Sequence, residues 1–283
     1  MSKIILMVIF AIFLMPFQSR SFAEPGSHEH HMHHMAPAII TTVDLETNPS
    51  VLKAGEVSKI SFFIKDSEGK SLKGLSVSHE RILHIIIVSA DFRVFAHIHP
   101  EDFGAVTPEM LKKAEFNVNY TFPKAGQYLI AVDYAVKDSH FSENFTLDVS
   151  GDRNMGAFIK DLSRKKKFGE YEVRLSTEPD DIIAGREATL SYTIRKNGKK
   201  VKDLEPYLAA PMHLAIVPAD MSSFSHTHGE APELSGKHPS AKTRFGPEIE
   251  AHVTFPQKGV HIIFSEIKHD GKVIPLTFMV EAE

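Results

Sequence analysis

Six histidines in two matching sets are the residues of this chain best suited to chemistry. In the first set His84 is followed thirteen and fifteen positions later by His97 and His99; in the second, His213 is followed at the same spacings by His226 and His228. All three correspondences share one offset of 129 residues. Neutral imidazole is a ligand for zinc, copper and nickel, and three rings converging on one point make a metal site. One buried histidine is ordinarily a hydrogen-bonded core residue. Three on a common face, repeated in a second copy, point to metal.

Two further groups extend the pattern. Asp133 sits inside the apolar run Tyr-Leu-Ile-Ala-Val-Asp-Tyr, and Glu266 answers it 133 positions later. An acid inside an apolar strand is costly unless it is paired or bound to metal, so each is a candidate fourth ligand, with an edge position or a salt bridge as the equal alternative. Near the N-terminus, residues 24–36 hold His28, His30, His31, Met32, His33, His34 and Met35. This arm has no apolar periodicity and is expected to be disordered. Thioether suits Cu(I), and mixing it with imidazole tilts the choice of ion from zinc towards copper.

The elements that must position the six histidines are strands. Ile85-Ile86-Ile87-Val88 is a continuous apolar run, which places His84 on a buried strand, and a turn at Ser89-Ala90-Asp91 leads to the next strand. In a hairpin with a two- or four-residue loop, taking Ala90-Asp91 as the loop sets His84 directly opposite His97, with β-carbons ~4.5–5.5 Å apart. His99, two residues on, shares that face. The same reading with Ala219-Asp220 as the loop sets His213 opposite His226. A three-residue loop would turn His84 to the other face. Met212 alternates away from His213 and belongs to the core. His79, His140, His252, His261 and His269 have no histidine counterpart in the other copy and are read as surface residues.

The rest of the chain fits this frame. In residues 37–151 about seven apolar segments of strand length alternate with Gly, Pro, Asp and Lys clusters, the pattern of an immunoglobulin-like (cupredoxin-like) β-sandwich. Residues 168–283 repeat it: Pro179 and Gly185 answer Pro49 and Gly55, and Thr254–Gly259 answers Thr121–Gly126. The expectation is an all-β protein of two tandem sandwiches, joined by a linker over 152–167 whose Arg164–Lys167 run is a solvated face. The loop after the second His-x-His pair, Gly229 to Pro247, carries four added positions and His238. One short helix is expected at Thr107–Glu115, capped by Thr107 with Pro108 in its first turn.

Composition narrows the function. The 283 residues carry a formal charge of −4 and no basic footprint for nucleic acid. Residues 1–23, with Lys3, the apolar stretch Ile4–Leu14 and Ser21-Phe22-Ala23, read as a secretory signal, so the chain is expected in the periplasm or outside the cell, without a membrane span once processed. There is no cysteine. Disulfides, thiolate zinc sites and a blue-copper centre are therefore excluded.

The run Leu-His-Ile-Ile-Ile-Val-Ser-Ala-Asp-Phe-Arg-Val-Phe-Ala-His-Ile-His-Pro-Glu, with the Phe122–Tyr134 region, resembles exported bacterial YtkA-like or cupredoxin-like β-sandwich proteins associated with heavy-metal handling. The resemblance implies an envelope protein that binds copper or a related metal through His84, His97, His99 and Asp133. The second copy departs from it, with Gly229 in place of the proline and Glu266 in place of the aspartate. The expected function is a metal buffer, carrier or sensor, copper first and zinc second, with a metal-transport membrane protein as a partner. An enzyme is not expected, for no Glu or Asp motif is placed as a general base. The alternatives are an adhesion or scaffolding module with incidental histidines, and a three-histidine zinc hydrolase.

Overall fold

The computed structural model describes residues 39–137, 139–152 and 156–283. The signal segment 1–23 and the arm with His28, His30, His31, Met32, His33, His34 and Met35 lie outside the described residues.

Each repeat is a sandwich of two antiparallel sheets. In the first, Thr41–Asn48, Val57–Asp66 and Glu115–Thr121 form one sheet. The other runs Phe95–Ile98, Leu83–Ser89, Gly126–Val136 and Ser139–Ser150, with Leu52–Lys53 added in parallel at its edge. In the second repeat, Tyr171–Glu178, Glu187–Lys196 and Glu248–Thr254 face Ser225–Gly229, Met212–Pro218, Gly259–His269 and Lys272–Ala282. A parallel bridge from Ile182 to Ala282 answers the parallel edge of the first repeat. This strand order is that of tandem immunoglobulin-like domains. The helix is Pro108–Lys113, with the Thr107 hydroxyl accepting from the Met110 amide at 3.2 Å.

The linker ends earlier than its charge suggests. Lys165–Phe168 is a strand paired with Tyr171–Glu178. The aliphatic part of Lys166 covers core while its ammonium meets Asp161 at 2.8 Å and lies 5.5 Å from the centre of the Phe278 ring, so a basic run is compatible with an edge strand.

Leu83–Ser89 and Met212–Pro218 are buried at every position. Their continuous apolar runs follow from burial on both faces. Leu83, Ile85 and Ile87 fill the core of the first repeat, and Leu214 and Ile216 that of the second. The opposite faces meet each other. Ile86, Val88, Leu129 and Ala131 pack with Ala215, Val217, Ile262 and Phe264 in a third core shared by both repeats, and Phe95 stacks on Phe264 at 4.5 Å and 6°. Each fully buried side chain of this size contributes roughly 1.5–3 kcal/mol. Phe158 and Leu162 from the connecting segment pack against the same cluster.

The hairpins differ in register from the two-residue expectation. Ile86 stands opposite His97, and the Ser89 amide donates to the Val94 carbonyl at 3.0 Å, so the loop is Ala90–Arg93. Asp91 explains the longer loop: its buried carboxylate accepts from the Ser89 hydroxyl at 2.6 Å and the Arg93 amide at 3.2 Å. Phe92, at φ 56°, turns its ring into the shared core. In the second repeat His213 stands opposite His228, not His226. Both slips are of two residues, which preserves the face each side chain occupies.

Candidate metal centre

His84, His97, His213 and His226 lie on the outward faces of their sheets, in the same alternation as Ile86, Phe95, Ala215 and Phe224. Packing those faces together brings the four rings to one place. One ring nitrogen from each lies within 4.8 Å of the other three. The duplicated motif therefore does not build two separate three-histidine clusters. Four of its six rings meet in one cluster, half from each repeat.

The partners of the outer nitrogens assign the tautomers. His84 Nε2 faces the Ser78 carbonyl at 3.1 Å and must donate to it, which leaves Nδ1 bare. His213 Nε2 faces the Tyr207 carbonyl at 3.0 Å with the same result. His97 Nδ1 donates to Glu266 at 2.7 Å and His226 Nδ1 to Asp133 at 2.9 Å, which in the neutral rings leaves both Nε2 atoms bare. Now the bare atoms face one another: His84 Nδ1 and His97 Nε2 at 3.0 Å, His213 Nδ1 and His226 Nε2 at 3.3 Å. In neutral rings held this way no proton lies between them, and two lone pairs repel. A cation between them converts that repulsion into bonds. Ligands ~2.0–2.1 Å from a tetrahedral ion stand about 3.3–3.4 Å apart, close to these separations.

Asp133 and Glu266 are placed differently from the expectation of a fourth ligand. Each lies beside the buried histidine of its own repeat in the strand register, Asp133 next to His84 and Glu266 next to His213. Each carboxylate nevertheless bonds a ring of the other repeat. They act as orienting groups, the arrangement in which a ligating histidine gives its second N–H to a carboxylate. Sequence offsets within one copy could not show this crossing.

The remaining pair is asymmetric. His99 is buried, its Nδ1 donating to Asp102 at 3.0 Å and its Nε2 lying 3.1 Å from His97 Nε2. His228 has a buried Nε2 with no partner, and its ring stacks on His79 at 3.5 Å. His79 forms a second possible metal group with His213 and His228. Read from sequence as a surface residue, it was missed because position 208, its counterpart, is leucine. His261 and His269 are also buried, contrary to expectation. His261 packs on Phe255 at 5.0 Å, and His269 links the Tyr171 hydroxyl at 2.8 Å to Asp203 at 3.1 Å. These are structural. His140 and His252 are exposed as expected, and His238 in the longer loop is exposed too.

Burial, and then the neighbouring rings, push down four of the clustered histidines, His84, His99, His213 and His228. Desolvation pushes His84 and His213 far below the ordinary value, with His226 foremost among the neighbours of His84 and His228 among those of His213. His99 is lowered to about 3 by burial and by His97, and His228 to about 2 by burial and by His226. Neutral imidazole is the metal-binding form. Beside the cluster, His97, His213, His226 and Glu266 border a narrow gap that Ile86, Phe95 and Ala215 also line.

Fold and site thus define a tandem immunoglobulin-like protein with a shared histidine centre. The chain belongs to the DUF8832 family, a domain of unknown function, which matches residues 39–151 and again residues 166–283. No curated protein matches it. Among solved structures, it is similar to the Escherichia coli adhesin FdeC at 12% identity and a TM-score of 0.25, covering 87% of this chain and 66% of that one. A Salmonella alpha-2-macroglobulin shares 12% identity at a TM-score of 0.26, over 86% of this chain and 14% of the other. Domains 4 and 5 of the S-layer protein SbsC share 10% identity at 0.22, over 86% and 98%. At these scores the likeness carries no argument about function. Among the described residues no helix is long and apolar enough to cross a membrane.

Proposed function

We propose that the protein binds one divalent metal ion between its repeats, copper in the first instance and zinc as the alternative, and serves metal handling outside the cytoplasm. The observation that carries this reading is the set of four bare ring nitrogens within 4.8 Å, each on a histidine whose other nitrogen is occupied. Asp133 and Glu266 supply two formal charges that one dication balances, which favours Cu(II) or Zn(II) over Cu(I) at this centre. The His/Met arm and the resemblance to exported metal-handling sandwiches lean towards copper. Four histidine ligands would complete a tetrahedral ion, which suits holding it, whereas a hydrolase needs a position open to water.

A second reading treats the ion as a staple that locks the two repeats of an adhesion or scaffolding module. The interfacial placement of the centre supports it. Metal content and affinity for Cu(II), Cu(I) and Zn(II), measured on the full chain, on a chain lacking residues 24–36, and on His97→Ala/His226→Ala, test the proposal. One tightly bound ion that survives loss of the arm and vanishes with the two histidines is expected. Binding that disappears with the arm alone overturns the centre. Slow exchange on the timescale of the protein's lifetime separates the staple from the carrier.

A further inference from the structure

The two ends of the centre are closed in unlike ways. At the first-repeat end, His99 is followed by the turn Pro100-Glu101-Asp102, and Asp102 accepts from both the His99 amide at 2.8 Å and its ring at 3.0 Å. That end is sealed. At the second-repeat end, Gly229 occupies the place of Pro100, and the strand leads into the longer loop. Here a pocket of about 300 Å³ opens, lined by His79, His228, Gly229, Lys237 and His238 among others. His79 and His228 stack at its foot, and His79 Nδ1 and His228 Nε2 are both buried without a hydrogen-bond partner. Behind them His213 lies 4.5 Å from the His228 ring centre and 5.6 Å from that of His79. His213 therefore belongs to both possible metal groups, the outer one with His79 and His228 and the inner one with His84, His97 and His226.

We propose that His79 and His228, with His213, form an outer metal position through which the ion is loaded into and released from the inner centre. The inference rests on the four-histidine reading above and adds a route to it. An ion reaching the pocket exchanges water first for the two unpartnered nitrogens. Occupation of the inner centre then draws His213 inward, leaving the outer position two ligands and a weaker hold. The outer position is thus one of transit. It takes the same class of ion, a borderline divalent metal with affinity for imidazole. No bond to carbon changes and no electron moves, since the step is exchange of one nitrogen ligand for another.

The test uses Zn(II) as the free ion with the full chain, so that the N-terminal arm is common to all variants. Stopped-flow uptake and release into excess chelator are compared for the parent, His79→Ala, His228→Ala, His228→Gln and the surface control His140→Ala. The outer variants are expected to slow uptake and release together, on the order of tenfold, while the equilibrium affinity stays near that of the parent. Retained affinity also shows that each variant is folded, and glutamine keeps the bulk of the ring without its aromatic nitrogen. In His97→Ala/His226→Ala, one equivalent of weak Zn(II) binding beyond that of the arm is expected in addition, and it is lost on adding His228→Ala. Tight binding with rates equal to those of His140→Ala overturns the outer position and leaves the inner centre standing. No tight binding in the parent chain overturns the inner centre, and this proposal with it.

Discussion

The two repeats place the same three histidines at matching points of the same hairpin, yet the last histidine of each copy ends in a different environment. His99 has its ring tied to Asp102 within a three-residue turn, whereas His228 keeps a buried nitrogen free at the foot of a pocket. Between these ends the copies are complementary. Each contributes two rings to one centre and one carboxylate to the other copy's ring. Duplication of one sandwich has therefore supplied a two-sided site rather than two copies of a one-sided one. The inner half is kept nearly symmetric by the packing of equivalent sheet faces. The loops, which no packing constrains in the same way, have diverged.

That comparison can be broken most sharply at the inner ligands. If the centre is shared, His84→Ala and His213→Ala each abolish tight metal binding, by more than the ~10–100-fold typical of losing an orienting group. Independent sites would instead lose half the bound metal in either variant, and isothermal titration reads the difference directly. Next comes the packing that brings the halves together. Phe264→Ala removes a 2%-exposed ring stacked on Phe95 and should destabilise the chain by ~3–5 kcal/mol in urea titration, with metal affinity falling too. A loss confined to the second repeat, leaving the centre intact, would argue against the shared core.

The crossed carboxylates come third. Glu266→Gln and Asp133→Asn should each weaken metal binding ~10–100-fold. In double-mutant cycles Glu266 should couple to His97 and Asp133 to His226. Coupling of Glu266 to His213, its neighbour in the sheet, would contradict the crossing. The pH dependence of the metal-free chain gives a smaller effect. His99 and His228 bind protons at about 3 and about 2 when folded, against 6.5 in an open chain. The unfolded state takes up protons first as the pH falls. Their contribution is thus complete above the ordinary histidine value and is lost progressively below it, down to the folded values. Urea midpoints at neutral pH and at about pH 4 should differ in that direction, less so in His99→Gln/His228→Gln. Smallest is Asp102→Asn, which should alter affinity less than Glu266→Gln because His99 lies outside the inner four.

Much of this was legible in the chain. The spacing of His84, His97 and His99, repeated 129 residues later, marked histidines that cluster, and strand alternation placed them on one face. Even a hairpin register wrong by two residues did not disturb that, because side chains alternate with period two. The helix cap at Thr107 was equally plain. His79 left no trace, since a single histidine without a counterpart has no pattern to betray it, and its role comes from a stack on a ring 149 residues away. His269 was misjudged for a related reason. Its partners, Tyr171 and Asp203, are remote in sequence and local in space.

The sequence by itself determined the class of fold, the repeat, the residue type of the cluster and the face on which its histidines stand. These depend on local alternation, turn residues and residue chemistry, all of which are written at short range. Only the tertiary structure decided that the two histidine faces meet. The apolar runs at Ile85–Val88 and Leu214–Val217 called for burial on both sides, but hydrophobic burial is non-directional and names no partner. Once those faces close on each other, the carboxylates reach across, the four bare nitrogens converge, and two half-sites become one centre.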